Sequence, residues 1–178
     1  PTVTPTPTVT ISNPVVSTTA VIVNASTTGM IYSHEPSTGV TIPILDTPMI
    51  GGSDIAHTNT RLWISGYQHI LLEYNITLSP FTATPGRTFN WPSDETKWPS
   101  GAGLCAGETN TLYGCRVSVY KVDITTTSPV TTDLFALPSG FACTGDLMYD
   151  LTTKRFLITY SNYMTDEQRV GIFEYNGT

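Results

Sequence analysis

Residues able to do chemistry are few and scattered in this 178-residue chain. The three histidines are His34 beside Glu35, His57 near a hairpin loop and His69 at the start of an apolar run. A general base needs a proton donor within hydrogen-bond reach and a group to orient it. None of the three has such a companion in sequence, and each reads as a surface or packing residue. Asp94-Glu95 and Asp166-Glu167 are adjacent acids in polar stretches. A glycosidase needs two carboxyls facing one sugar from about 5–9 Å apart, which adjacency does not supply. Neither a Gly-x-Ser-x-Gly elbow nor a phosphate-cradling glycine loop occurs. Asp54, Glu108 and Asp146 recur near Gly52, Gly107 and Gly145 and would suit Ca²⁺ if they ringed one mouth. Acids beside glycine more often stabilise turns, and that reading is preferred. The chain is therefore expected to be no enzyme, with no catalytic residue, no cofactor and no metal centre.

Three cysteines, Cys105, Cys115 and Cys143, leave one thiol over if two pair. Cys105 and Cys115 flank the short loop Ala106–Gly114, so a hairpin would set them opposite each other. That pairing is the preferred expectation. Cys105–Cys143 is the alternative, because Leu-Cys-Ala-Gly and Ala-Cys-Thr-Gly look like equivalent phrases. Three buried free thiols are the remaining case. No Cys-x-x-Cys motif is present to hold zinc.

The elements that must position these residues repeat. A short apolar strand, an acid or amide turn, a Thr/Ser/Pro/Gly stretch and a second strand recur four times. The turn residues are Glu35, Asn75, Asp123 and Asn176, spaced 40, 48 and 53 residues apart. The runs are short, rich in Val, Ile, Thr, Tyr, Phe and Trp, and bounded by Gly, Pro, Asn and Asp, as strands are. No segment sustains a helical period. Units of three or four strands at this spacing match propeller blades. The fold class is therefore all-β, with four propeller-like meander repeats, a β-sandwich being the alternative. Residues 13–178 form one domain, behind a Thr/Pro-rich segment at 1–12.

The stretches "IAHTNTRLWIS" and "ILLEYNITLSPFTATPGRTFNWP", within Ile55–Pro92, resemble repeats of structural proteins from aquatic bacteriophages. So do "VDITTTSPVTTDLFALPSG" and "TGDLMYDLTTKRFLIT", within Val122–Thr159. The likeness covers the chain from residue 50 onward. It implies a surface or fibre component with propeller-like repeats behind Thr/Pro linkers, and no established enzyme activity.

Composition bounds the partners. Only 12% of residues are charged, and the net charge is −6. The eight basic residues are scattered, which argues against nucleic acid. No apolar run approaches the roughly 20 residues of a membrane span, and no signal peptide is legible at the start. Pro1–Thr10 alternates Thr with Pro or Val, and Thr2, Thr4, Thr6 and Thr8 are candidate O-glycan sites. Within it and beyond, Thr8, Val9, Thr10, Ile11 and Ser12 alternate like a strand. The fourth repeat stops where its last strand should follow, leaving an edge of unpaired backbone groups. The expected role is a structural fibre or filament subunit whose strand 8–12 adds to a neighbour's edge, head to tail. Closure within one chain by the same strand is the other use of it.

Asn24, Asn75 and Asn176 are candidate N-glycan acceptors in Asn-x-Ser/Thr sequons. Tyr67, Trp91 and Trp98 fall in or near loops and carry a second reading, a glycan-binding module. The setting expected for either role is extracellular, a cell surface or a virion surface.

Overall fold

The computed structural model describes residues 20–25, 28–48, 52–66, 70–90 and 103–175. Within them the chain is entirely β, in four antiparallel sheets. The first holds β1 (Val21–Ala25), β2 (Met30–Glu35) and β3 (Val40–Asp46). The second holds β4 (Gly52–His57), β5 (Arg61–Gly66), β6 (Ile70–Leu78) and β7 (Phe81–Asn90). The third holds β8 (Gly103–Ala106), β9 (Thr111–Cys115), β10 (Ser118–Asp123) and β11 (Val130–Ala136). The fourth holds β12 (Phe141–Asp150), β13 (Arg155–Asn162) and β14 (Gln168–Glu174). Every sheet is a meander in chain order, and the four sheets pack side by side in sequence. The expected repeat architecture is thus the observed one.

Strand pairing shows what each blade contains. Arg61 pairs with Asn75, Thr111 with Asp123, and Arg155 with Glu174, each joining the start of a second strand to the end of a third. One residue on, the backbone N–H of Ile76 donates to the Thr60 carbonyl at 2.9 Å, that of Ile124 to Asn110 at 3.0 Å, and that of Tyr175 to Lys154 at 3.3 Å. This recurring bond ties the third strand to the turn before the second. Asn110 and Lys154 both hold φ 58° in that turn. The structural equivalent of Asn75 in the fourth blade is therefore Glu174, two residues before the expected Asn176. The β2–β3 hairpin likewise matches β6–β7 and β10–β11. Among the described residues, the first blade thus has its second to fourth strands, and the last blade its first to third.

The core lies between blades. Ile22, Ile31 and Ile44 of the first meet Leu62, Ile64 and Phe81 of the second. On the second blade's other face, Trp63, Leu71 and Phe89 meet Leu104, Leu112 and Tyr120. Tyr113, Cys115 and Val119 then meet Leu147, Phe156 and Ile158 of the fourth. Strand alternation explains the division, since successive side chains point to opposite faces. A fully buried Leu, Ile or Phe contributes about 1.5–3 kcal/mol, so these interfaces, not the individual sheets, carry the stability.

One interface contains a buried ion cluster. Glu73 accepts from Trp63 Nε1 at 3.0 Å, from Arg87 Nη2 at 2.8 Å and Nε at 3.2 Å, and from Arg61 Nη1 at 3.4 Å. Arg87 Nη1 also donates to the Ile124 carbonyl of the third blade at 2.7 Å. Burial pushes the Glu73 carboxyl up, but Arg87, Trp63 and Arg61 outweigh it and hold it below its usual range.

Close approach also fixes certain glycines. A Cβ at Gly114 would overlap the Tyr120 ring, whereas one at Gly39, with φ +70°, would meet nothing. Gly114→Ala is expected to cost about 1–3 kcal/mol through overpacking. Gly39→Ala should cost about 1 kcal/mol through backbone strain alone. Denaturant unfolding at equal m-value checks both.

Candidate functional site

Among the described residues, β14 is the edge strand of the fourth blade. The third strands β2, β6 and β10 each pair with a fourth strand, whereas β14 pairs only with β13 among the described residues. Its outward face is exposed as well: Val170 and Ile172 lie in water. An open strand of this kind is a template for another chain's backbone. The expected donor, Thr8, Val9, Thr10, Ile11 and Ser12, lies outside the described residues, as do the Thr2, Thr4 and Thr6 acceptors.

Beside this edge, between the third and fourth blades, lies a cleft of about 750 Å³. Glu108 sits in its wall. It accepts from Tyr113 Oη at 2.8 Å, from Lys154 Nζ at 2.9 Å and from Tyr149 Oη at 3.3 Å. Burial pushes the carboxyl up, yet Lys154 and Tyr113 outweigh it and bring it down to about 2. Burial and the same carboxylate push the Tyr113 phenol up. Tyr113 and Tyr149 have ring centroids 4.5 Å apart, and Phe156 closes the group at 5.0 Å from Tyr113. Lys121, Arg155, Glu174 and Tyr175 complete a wall of aromatic and charged groups. A second cleft of about 570 Å³, lined by Arg61, Trp63 and Thr109, repeats the arrangement between the second and third blades. Such walls offer ring faces and hydrogen-bonding groups to a polar ligand.

The Ca²⁺ alternative for Asp54, Glu108 and Asp146 is not assembled among the described residues. Asp54 and Asp146 are structural equivalents, each accepting the next residue's N–H at 2.8 Å. Ile55, Leu104 and Leu147 pair with equivalent residues of the second strands, so the matching position in the third blade is Gly103. Glu108 lies in the turn after β8, committed to Lys154 and the tyrosines. No group of three His, Cys, Asp or Glu suited to a metal occurs among the described residues. Asp54 is nonetheless unusual. Burial, aided by the Asp146 charge, raises its carboxyl to about 8, against the N–H groups of Ile55 and Leu104 that it accepts.

The expected Cys105–Cys115 disulfide is not formed, and all three thiols are free. Register is the reason: Cys105 lies opposite Tyr113, while Cys115 lies opposite Gly103. The Cys105–Cys143 alternative fails too, because β12 bulges between Cys143 and Leu147 and puts Met148, not Cys143, at the position of Cys105. Instead Cys115 and Cys143 meet across the blade interface. Their mutual hydrogen bond raises the Cys115 thiol and lowers that of Cys143, while Gly103 N–H donates to Cys143 Sγ at 3.2 Å.

Of the candidate sugar-contacting residues, Tyr67, Trp91 and Trp98 lie outside the described residues, as does Asn176. Asn24 falls on β1, and Asn75 is exposed near the β6–β7 turn. His34 hydrogen-bonds Thr41 through Nδ1 at 2.8 Å, and His57 ends β4. Reading the sequence missed the Glu73 and Glu108 clusters, whose members are 10–14 and 5–46 residues apart. Acids and bases on neighbouring strand positions of the repeat were the available signal.

Comparison with solved structures agrees with the architecture. The chain overlays the N-terminal domain of Nup159 with a TM-score of 0.54 at 10% identity, covering 87% of this chain and 47% of that one. These are propeller blades. An S. cerevisiae complex of Dbp5 with Nup159 and Gle1 matches at a TM-score of 0.50 and 9% identity, over 88% of this chain and 48% of that chain. The WD40 repeats of RRP9 match at 0.49 and 17%, over 88% and 50%. The chain thus spans about half the length of these structures. No family model matches it, and no curated protein does.

Asp54 generates a pH prediction. A folded-state pKa above the unfolded one favours folding below the unfolded value, and that contribution is lost as pH rises through the folded value. Stability should therefore decline between about pH 4 and about pH 8. Asp54→Asn should flatten that slope, whatever its baseline stability, and the Leu104 amide resonance should titrate near pH 8 in the parent protein only. Unfolding curves across this range and amide NMR provide the check.

Proposed function

We propose that this protein is a structural subunit that self-assembles through the open edge of its fourth blade, as part of a surface fibre or filament. The observation that carries the reading is β14: alone among the third strands, it lacks a fourth partner in the described residues. Strand addition satisfies such an edge with main-chain hydrogen bonds and needs only an extended, alternating donor. Residues 8–12 have that pattern. A donor from one copy entering the edge of the next is a heterologous contact, which propagates unless the rotation closes. The resemblance to bacteriophage structural repeats favours an extracellular or virion-surface setting, where glycans on Asn75 or on the Thr-rich segment would be accommodated.

A second reading, a glycan-binding module, is favoured by one observation. The cleft at Tyr149 and Tyr175 combines ring surface with Lys121, Arg155 and Glu174. Sugar-binding sites need both features.

Two measurements test these readings. A chain beginning at Asn13 should lose the assemblies that the full chain forms in electron micrographs and in sedimentation. Unchanged assembly would sink strand donation. For the second reading, a glycan array should yield a saccharide whose binding is reduced at least roughly tenfold by Tyr149→Ala, a difference of about 1.4 kcal/mol. An array with no hits would remove it.

A further inference from the structure

Two of the three cysteines meet where the third blade packs on the fourth. Cys115 ends β9 and is 0% exposed, and Cys143 on β12 is 3% exposed. Three backbone relations bring them together. Gly103 on β8 is the register partner of Cys115. The Gly103 N–H donates to Cys143 Sγ at 3.2 Å. The Cys143 N–H donates to the carbonyl of Arg116, the residue after Cys115, at 2.6 Å. β12 therefore runs against the end of the β8–β9 pair with Cys143 at Cys115, and the two thiols hydrogen-bond each other within one buried cluster.

The same register keeps Cys105 out of reach. Gly103 lies opposite Cys115 and Cys105 opposite Tyr113, so Cys105 and Cys115 are diagonal neighbours on one face. Diagonal neighbours across an antiparallel pair stand about 7–8 Å apart, their Cβ atoms somewhat less. A disulfide needs Cβ atoms about 3.5–4.5 Å apart. Against β12, the Cys105 thiol hydrogen-bonds the Tyr149 backbone, six residues beyond Cys143. One pair is left that can close.

We propose that Cys115 and Cys143 are the site of a disulfide that joins the third blade to the fourth when the protein meets a small-molecule disulfide. That oxidant balances the reaction. One cysteine thiolate attacks a sulfur of the oxidant, whose S–S bond breaks and releases a first thiolate. The other cysteine thiolate then attacks the protein sulfur of this mixed disulfide and expels the second. Two protein thiols become one S–S bond, the oxidant is reduced to two thiols, and these carry the two protons. Both cysteines lie inside the interface, so the oxidant reaches them during folding or a local opening of the two blades. Packing of β12 on the β8–β9 pair then delivers one sulfur against the other. The bond closes a loop of 28 residues that contains β10 and β11. It forms within one copy and does not rest on the assembly reading.

The full chain, reduced and then refolded in glutathione and glutathione disulfide, tests the proposal. Free thiols are alkylated in denaturant, and the chain is cleaved after Lys, Arg and Glu, so that Glu108 separates Cys105 from Cys115. Mass spectrometry should find one internal link, between the Cys115 and Cys143 peptides, with Cys105 alone alkylated. The oxidised chain should melt roughly 5–15 °C above the reduced chain, as a bridge closing a loop of this length predicts. Cys105→Ala should keep the link and the shift, and Cys143→Ala should lose both. Three alkylated thiols overturn the proposal. So does a link through Cys105, a link between two copies, or glutathione left bound on Cys115 or Cys143. Mapping of the parent chain decides the matter without requiring any variant to fold.

Discussion

A blade in this protein is a sheet with two apolar faces, and it cannot bury both by itself. Everything else follows from that constraint. Strand alternation sends Leu62 and Ile64 toward the first blade and Trp63 toward the third, so the second blade is stable only between neighbours. The core is consequently divided into three slabs, and each slab joins residues from two repeats. An isolated blade would leave its apolar faces in water, and stacking on its neighbours buries them.

The three interfaces obey one geometry with different chemistry. Between the first two blades the contact is mostly aliphatic, with Ile22, Ile31 and Ile44 at its centre. The next interface seats Glu73 among Trp63, Arg61 and Arg87, and Arg87 reaches the Ile124 carbonyl. A buried carboxylate is tolerated there because its donors meet it at close range; removing one partner would leave an uncompensated charge. The last interface is aromatic and thiol-rich, with Tyr113, Tyr149 and Phe156 in mutual contact and Cys115 against Cys143. These differences mean that one blade cannot be exchanged for another, although their backbones are alike.

Much of the architecture was legible from the chain. Runs such as Val117–Asp123 and Thr132–Pro138 are punctuated by Pro and Gly, and the strands Ser118–Asp123 and Val130–Ala136 overlap them. The turn residues Glu35, Asn75 and Asp123 mark the third strands of the first three blades. Errors arose where phrases looked alike but the register differed. Leu-Cys-Ala-Gly and Ala-Cys-Thr-Gly suggested equivalence of Cys105 and Cys143, and a bulge in β12 removes it. The fourth turn residue was displaced from Glu174 to Asn176 because composition marks a turn only to within a few residues. The Ca²⁺ alternative for Asp54, Glu108 and Asp146 fails because Glu108 lies in the turn after β8, whereas Gly103 holds the position that matches the two aspartates.

Local sequence by itself determined strand existence, turn positions to within a few residues and the repeat, because these depend on backbone preferences and on alternation over short stretches. It also determined that the chemistry-bearing groups are sparse. Tertiary structure decided which of them meet. Glu108 reaches Lys154 across 46 residues, Arg87 reaches Ile124 across 37, and Cys115 finds Cys143 rather than Cys105. Such contacts depend on register and on the stacking of whole blades, which are properties of the assembled sheets. The scattered His, Asp, Glu and Cys residues with which the chain first presents itself thus acquire partners only through the packing of one apolar face on the next.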